Sequence, residues 1–351
     1  MMRDEMICRP ENLLLFYSAL PETTELIDAA VDSILGEKLD WDYLFRAAEQ
    51  FGETAGLAGL LRRHEGVADI IIGRLDRIAC REKLATDSML SLFDEVSLIL
   101  SEGEFDFIPL KGCDPRIAEG SRRLCNAMTD IDILVRLGDT GAVGMLLEER
   151  GFIYQGLLSG AHMNFFTDET EPRFIEIHWD LVNRYNPLHR ALFSPDMDAV
   201  WERSVILNGV RLLSEEDLLA YLTAHAVKEY FNSPKWLSDI AWIAGNRLGL
   251  VDPEVMNSVS IEWGVSYALG IVAEALDNCL HNAYIEQLMA FGVIKPGAAG
   301  RYVARRVLCY DQLRSLRPVL YAAAAGSPLR TVHMLGGAAR RLFQKMSRER
   351  F

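Results

Sequence analysis

The stretch TDIDILV, Thr129 to Val135, constrains the fold more than any other. Its isoleucines, leucine and valine read as a short buried strand. Two aspartates break into that run. In a strand, residues i and i+2 point to the same face. Asp130 and Asp132 therefore project together, about 6.6 Å apart at their roots for a rise of roughly 3.3 Å per residue. Anions at the edge of an apolar strand are costly unless a cation or a metal pairs with them.

A second stretch follows the same logic. In RFIEIHWDLV, Arg173 to Val182, the polar Glu176, His178 and Asp180 alternate with Ile175, Ile177 and Trp179. One face is polar and the other apolar. Should this strand neighbour DIDILV, Glu176 joins Asp130 and Asp132. Three carboxylates on adjacent strands can hold two divalent cations about 3.5–4 Å apart. Mg²⁺ suits hard oxygen ligands that leave room for water and phosphate, and Mn²⁺ is the alternative. Glu176 can also accept a proton from an attacking hydroxyl. Upstream, PLKGCD adds Gly112 just after a strand, where neighbouring N–H groups form an anion nest. Lys111 supplies a point cation beside it.

These strands lie within a broader pattern. Residues 1–100 read as helical: WDYLFRAAEQFG spaces Trp41, Leu44, Phe45 and Ala48 on one face. DSMLSLFDEVSLILSE does the same with Met89, Leu92, Phe93, Val96 and Leu100. Near residue 105 the period changes. FDFIPL, DIDILV, FIYQGLL, HMNFFTD and RFIEIHWDLV are strand candidates. A helix fits Pro115 to Glu119, and GDTGAVGMLLEERG is a second one closed by Gly151. From Ser214, an N-cap with Asp217 three residues on, the chain is helical again. The expected class is α+β, a small mixed sheet flanked by helical regions. The expected division is 1–100, 101–213 and 214–351.

Composition excludes several classes. A net charge of −14 argues against a broad grip on nucleic acid, which needs Lys and Arg to neutralise phosphate. The six cysteines form no CxxC pair and read as reduced thiols of a cytoplasmic protein. The N-terminus carries acids ahead of its apolar part and makes a poor signal peptide. No apolar run reaches the roughly 18 residues of a membrane span. The basic residues Arg340, Arg341, Lys345, Arg348 and Arg350 read as a solvated end.

The ordered set LKG, DIDILV and IEIHWDL resembles the uncharacterised nucleotidyltransferase family of the DNA polymerase β-like superfamily. WDYLFRAAEQFG resembles that family's helical N-terminal region, and LLAYLTAHAVKEYF with KWLSDIAWI its helical C-terminal region. The resemblance runs from Trp41 to Ile243. It implies Asp130, Asp132 and Glu176 as metal carboxylates and Gly112 in the glycine motif. It further implies an NTP as donor and names no acceptor, small molecule or protein. Cys113 stands where superfamily members often carry Ser. Asn126 stands where the family often carries Arg, so Arg122 or Arg123 is the substitute nucleotide contact. Glu229 stands where a second His commonly follows His225.

Other residues carry plainer alternatives. His178 is either a neighbour of the metal site or a satisfied strand histidine. His225 packs between helices or faces the substrate. Lys235 and Asp239, four apart, make a helix-surface ion pair by default. The cleft is expected between the sheet and the C-terminal helices. The expected function is transfer of an NMP to an acceptor hydroxyl by a two-metal mechanism. The rival is a catalytically inactive nucleotide-binding or protein-interaction scaffold, favoured by Cys113 and Asn126.

Overall fold

The computed structural model describes residues 8–20, 24–118, 128–159, 161–167, 172–182, 187–280, 294–308 and 317–326. Glu119, Arg122, Arg123, Asn126 and the basic C-terminal residues lie outside them.

Helices α1 (Pro10–Ser18), α2 (Glu25–Leu35), α3 (Trp41–Phe51), α4 (Thr54–Leu61) and α5 (Asp69–Glu102) lead into the sheet. α3 follows the sequence spacing, with Leu44, Phe45 and Ala48 buried. Asp40 caps its start by accepting from the Tyr43 N–H, and Gly52 ends it in the left-handed conformation, at φ 70°. α5 is 34 residues long and extends well upstream of the segment the periodicity marked. The reason lies in its packing. Leu75 joins one apolar core while Met89, Leu92, Val96 and Leu100 join another. A helix that changes partner midway does not keep one apolar stripe.

The sheet comprises β1 (Phe107–Leu110), β2 (Asp130–Val135), β3 (Ile153–Ser159), β4 (His162–Phe166) and β5 (Phe174–His178), in the order β1-β2-β5-β4-β3. β2 and β5 run parallel, and the other pairs are antiparallel. Between β2 and β3 lies α6 (Thr140–Glu149), closed by Gly151 at φ 92° with the Phe152 N–H donating to the Leu147 carbonyl at 3.0 Å. Ile131, Ile133, Ile175, Ile177 and Phe165 turn to the rear face, where α5 and α6 cover them. Ile108, Leu110 and Leu134 turn forward and join the core of the C-terminal helices. The period-two alternation read from sequence thus separates a dry rear face from a front face bearing the acids.

β5 ends at His178, so Asp180 leaves the alternating face. It is buried in the bend that follows, and its carboxylate accepts from the Val182 N–H at 3.1 Å. The chain does not pass straight from there into long helices. α7 (Pro187–Leu192) and α8 (Met197–Arg203) come first, then a hairpin of β6 (Val205–Leu207) and β7 (Val210–Leu212). Asn208 and Gly209 turn it at φ 51° and 82°, the Asn-Gly signature of a tight hairpin.

α9 (Glu215–Lys228), α10 (Lys235–Arg247), α11 (Pro253–Trp263), α12 (Ser266–Leu280), α13 (Ala298–Ala304) and α14 (Arg317–Ala325) follow. Ser214 caps α9 by accepting from the Asp217 N–H at 3.1 Å, as the capping pattern predicts. α9 is buried on nearly every side. Its Leu219 and Val227 share one core with Leu14 and Phe16 of α1, so N- and C-terminal helices pack into the same apolar mass. Behind the sheet's first turn, Arg116 donates to Asp114 at 2.7 Å and pairs with Glu215 of α9 at 3.2 Å. Trp242 of α10 donates to the Arg116 carbonyl at 2.9 Å. These contacts fasten the segment after β1 to the helices that face it. No single helix among the described residues is long and apolar enough to cross a membrane.

Candidate active site

Register assembles the acids. The parallel β2–β5 pairing sets Asp132 directly opposite Glu176, and Asp130 lies two residues back on the same face. One carboxylate oxygen from each of the three lies within 4.8 Å of the other two. The convergence expected from the sequence is present.

Lys111 follows β1 in the left-handed conformation, φ 50°, and opens a 3₁₀ turn, Lys111–Cys113. Its Nζ donates to Asp132 Oδ1 at 2.7 Å. His178 Nε2 lies 2.9 Å from the same oxygen and 3.2 Å from Glu176 Oε2. Among the described residues no arginine pairs with the trio. Asp132 is thus buried with an ammonium and an imidazole nitrogen as partners, which explains how an anion survives inside a strand.

The electrostatics are uneven. Burial pushes the Asp132 carboxyl up, but Lys111 and His178 overcome it and hold the group far below the usual carboxylate range. Burial also raises Glu176, and the bond from His178 brings it below its ordinary value. Asp130 shifts upward, through burial and then through the neighbouring charge of Asp132. Burial pulls His178 down, and its bonds to Asp132 and Glu176 raise it on balance. Lys111 follows the same course, kept protonated by Asp132 against its burial.

A cavity of about 320 Å³ opens over the trio. The sheet side contributes Lys111, Gly112, Thr129, Asp130, Asp132, His162 and Glu176, and the helical side His225, Lys228, Glu229, Lys235 and Trp236. The cleft lies where the sequence placed it, between sheet and C-terminal helices. A Cβ at Gly112 would meet only the Met128 methyl, at 2.8 Å, the free end of a flexible side chain, so space alone does not demand glycine there. Lys235 lines this wall. Asp239, one turn further on, is buried and pushed up to about 6 by that burial, against the pull of Lys235. Between α9 and α10, Tyr230 and Phe231 both hold left-handed backbone, at φ 57° and 49°. Phe231 is fully buried and pins this corner.

His225 is 7% exposed, with its ring edge-on to Trp236 at 4.5 Å. Its Nε2 has no hydrogen-bond partner among the described residues. Burial, then the charges of Lys111 and Lys228, holds this imidazole well below its ordinary pKa and so neutral at pH 7. Cys113 is buried in the core behind the sheet and is absent from the cavity wall, its thiol pushed up to about 12 by burial. Arg123 lies outside the described residues. Lys228 and Glu229, grouped in the sequence with His225 as helix-packing residues, line the wall with it, whereas His162 and Trp236 carry no distinctive signal of their own. For His162 the alternation of HMNFF becomes informative only through β4–β5 pairing, which sets His162 opposite His178.

A sheet with three converging carboxylates, beneath a cavity rimmed by lysines, has the donor chemistry of a phosphoryl-transfer site. The chain matches the family described as uncharacterised nucleotidyltransferase over residues 37–280, and it belongs to that family. No curated protein matches it. Among solved structures it is similar to a nucleotidyltransferase-like protein from H. pylori, with a TM-score of 0.32 and 10% identity over 66% of this chain and 97% of that one. It is also similar to JHP933 from Helicobacter pylori, with a TM-score of 0.30 and 12% identity over 66% and 96% of the two chains. Both likenesses are too distant to bear on mechanism.

Proposed function

We propose that the protein transfers an NMP group from an NTP to a hydroxyl of a small-molecule or protein acceptor. The observation that carries this reading is the meeting of Asp130, Asp132 and Glu176 within 4.8 Å beneath a cavity of about 320 Å³. Three hard oxygens fit Mg²⁺ or Mn²⁺. The ammonium already seated on Asp132 indicates that this position favours a cation. Asp130, Asp132 and Glu176 would hold the metal, which when bound stabilises charge on the transferring phosphoryl group.

The chain's own residues supply the rest. Backbone N–H groups around Gly112, with Lys228 and Lys235 across the cavity, bind and orient the polyphosphate. Glu176 accepts the proton of the acceptor hydroxyl as its oxygen attacks the α-phosphorus. The bond to the β-phosphate breaks and pyrophosphate leaves. The helical wall limits water near the reacting atoms.

A second reading rests on the Lys111–Asp132 pair. With the ammonium already on the carboxylate, the sheet can bind a nucleotide or a protein partner without catalysis. A thermal-shift panel of NTPs, with and without Mg²⁺, separates the two. Stabilisation that requires Mg²⁺ and vanishes in Asp132→Asn supports the enzyme. Metal-independent stabilisation supports the scaffold, and no response to any nucleotide overturns both nucleotide readings. Incubation of α-labelled NTP with cell extract, followed by sizing of the labelled product, then distinguishes a protein acceptor from a small one.

A further inference from the structure

Beside the acid trio lies a second cluster of ligand atoms with different chemistry. His162, Glu176 and His178 each present one ligand atom within 4.8 Å of the other two. His178 Nε2 stands 3.2 Å from Glu176 Oε2, and His162 Nε2 stands 3.9 Å from that oxygen. The two imidazole rings lie 4.8 Å apart, centroid to centroid.

Sheet geometry produces this arrangement. His178 follows Glu176 by two residues on β5, so both face forward. Antiparallel pairing sets His162 of β4 directly opposite His178. The three groups come from two rigid, hydrogen-bonded strands, so their spacing does not depend on a loop.

We propose that His162, Glu176 and His178 form a binding site for a divalent transition-metal ion, of the Zn²⁺, Fe²⁺ or Co²⁺ type, next to the oxygen-only position of the acid trio. Two imidazoles and one carboxylate with room for water are the donor set of catalytic zinc and of non-haem iron centres. Tetrahedral zinc with bonds near 2.0–2.1 Å requires ligand atoms about 3.3 Å apart. The His178–Glu176 separation already meets that. His162 must close from 3.9 Å on Glu176 and from within 4.8 Å on His178, a movement of the kind a side-chain rotation supplies. A metal there would replace the close contacts that His178 Nε2 makes with the carboxylates of Asp132 and Glu176. Mg²⁺ is a poor competitor, since it takes oxygen ligands and sheds water reluctantly. The site meets the proposed catalytic trio at Glu176, the residue the two clusters share. It does not depend on nucleotide transfer taking place.

The experiment is a Co²⁺ titration of the untagged full chain, followed by visible absorption. Untagged protein matters, because added histidines would bind the probe themselves. One ion per chain with the intense bands of four- or five-coordinate Co²⁺, displaced by Zn²⁺ and not by Mg²⁺, is expected. His162→Ala should weaken Co²⁺ binding roughly 100-fold or more, since even the loss of an outer-shell partner costs 10–100-fold. His178→Gln should abolish the bands. Asp130→Asn should leave them in place, which separates this position from the acid trio. Circular dichroism and the denaturation midpoint of each variant show whether it folds. If His162→Ala fails to fold, His162→Gln replaces it, because it keeps the polar bulk and removes the imidazole. The proposal is overturned if wild type gives no such bands, if they survive both histidine replacements, or if Mg²⁺ displaces the ion one for one. Mg²⁺-dependent nucleotide binding is a separate measurement, so failure here and failure of the transferase reading are told apart.

Discussion

Replacing Lys111 by Met examines the charge balance of the cavity directly. Asp132 is 3% exposed and depends on two partners, Lys111 at 2.7 Å and His178 at 2.9 Å. Removing one member of a buried ion pair costs about 3–5 kcal/mol, because the remaining charge is left uncompensated. His178 still reaches the same oxygen, so the lower end applies, about 3 kcal/mol. Methionine keeps the length and apolar stem of lysine, which limits any cavity term. The assay is urea denaturation of wild type and Lys111→Met in EDTA and again in saturating Mg²⁺. In EDTA the variant should be less stable by that amount. In Mg²⁺ the gap should narrow. A cation at the trio no longer has to displace an ammonium, and each tenfold gain in affinity returns about 1.4 kcal/mol. Equal losses with and without Mg²⁺ would refute the idea that lysine and metal contend for one carboxylate. No loss in EDTA would refute the importance of the pair itself.

Glu53 is fully buried, neither carboxylate oxygen is hydrogen-bonded among the described residues, and burial lifts its pKa from 4.5 to about 8. A folded pKa above the unfolded one gives stability that is present below about pH 4.5 and lost as pH rises through about 8. Glu53→Gln removes that dependence, so its stability advantage over wild type should grow by roughly 3 kcal/mol from about pH 5 to pH 8, measured by chemical denaturation. A constant difference across that range would contradict the buried-acid reading. Phe165→Ala, in the dry rear face of the sheet, should cost about 3–5 kcal/mol in the same assay. A loss below 1 kcal/mol would mean that face is loosely packed. Lys228→Ala and Lys235→Ala should each weaken nucleotide binding several-fold, more at low salt than at high salt, in calorimetric titrations. Unchanged binding would remove the helical lysines from the polyphosphate site.

The core of this site was legible because strand alternation is a local signal. Asp130, Asp132 and Glu176 interrupt runs of isoleucine at period two, and only a strand makes sense of that spacing. What sequence could not convey was pairing. That Asp132 faces Glu176, and that His162 faces His178, depends on the order β1-β2-β5-β4-β3. Lys111 was readable as a cation near the site, but not as a partner bonded to Asp132. That bond requires the left-handed turn at residue 111. Cys113 had the right position in the chain, yet the same turn directs it into the rear core. The hairpin after α8 carries an Asn-Gly signal, but its strands, three residues each, are too short for alternation to show. The true length of α5 was hidden by its change of partner.

The corner at Tyr230 and Phe231 governs the cavity from behind. Two adjacent residues with side chains hold backbone shapes that each cost of order 1–3 kcal/mol, and such shapes persist only where the surroundings enforce them. Here the enforcing element is the Phe231 ring, sealed in the core. The turn that joins α9 to α10 is therefore anchored in the core, and Lys228 and Lys235 stand on either side of it on the cavity wall. A substitution that frees residue 231 from the core would disturb both lysines together.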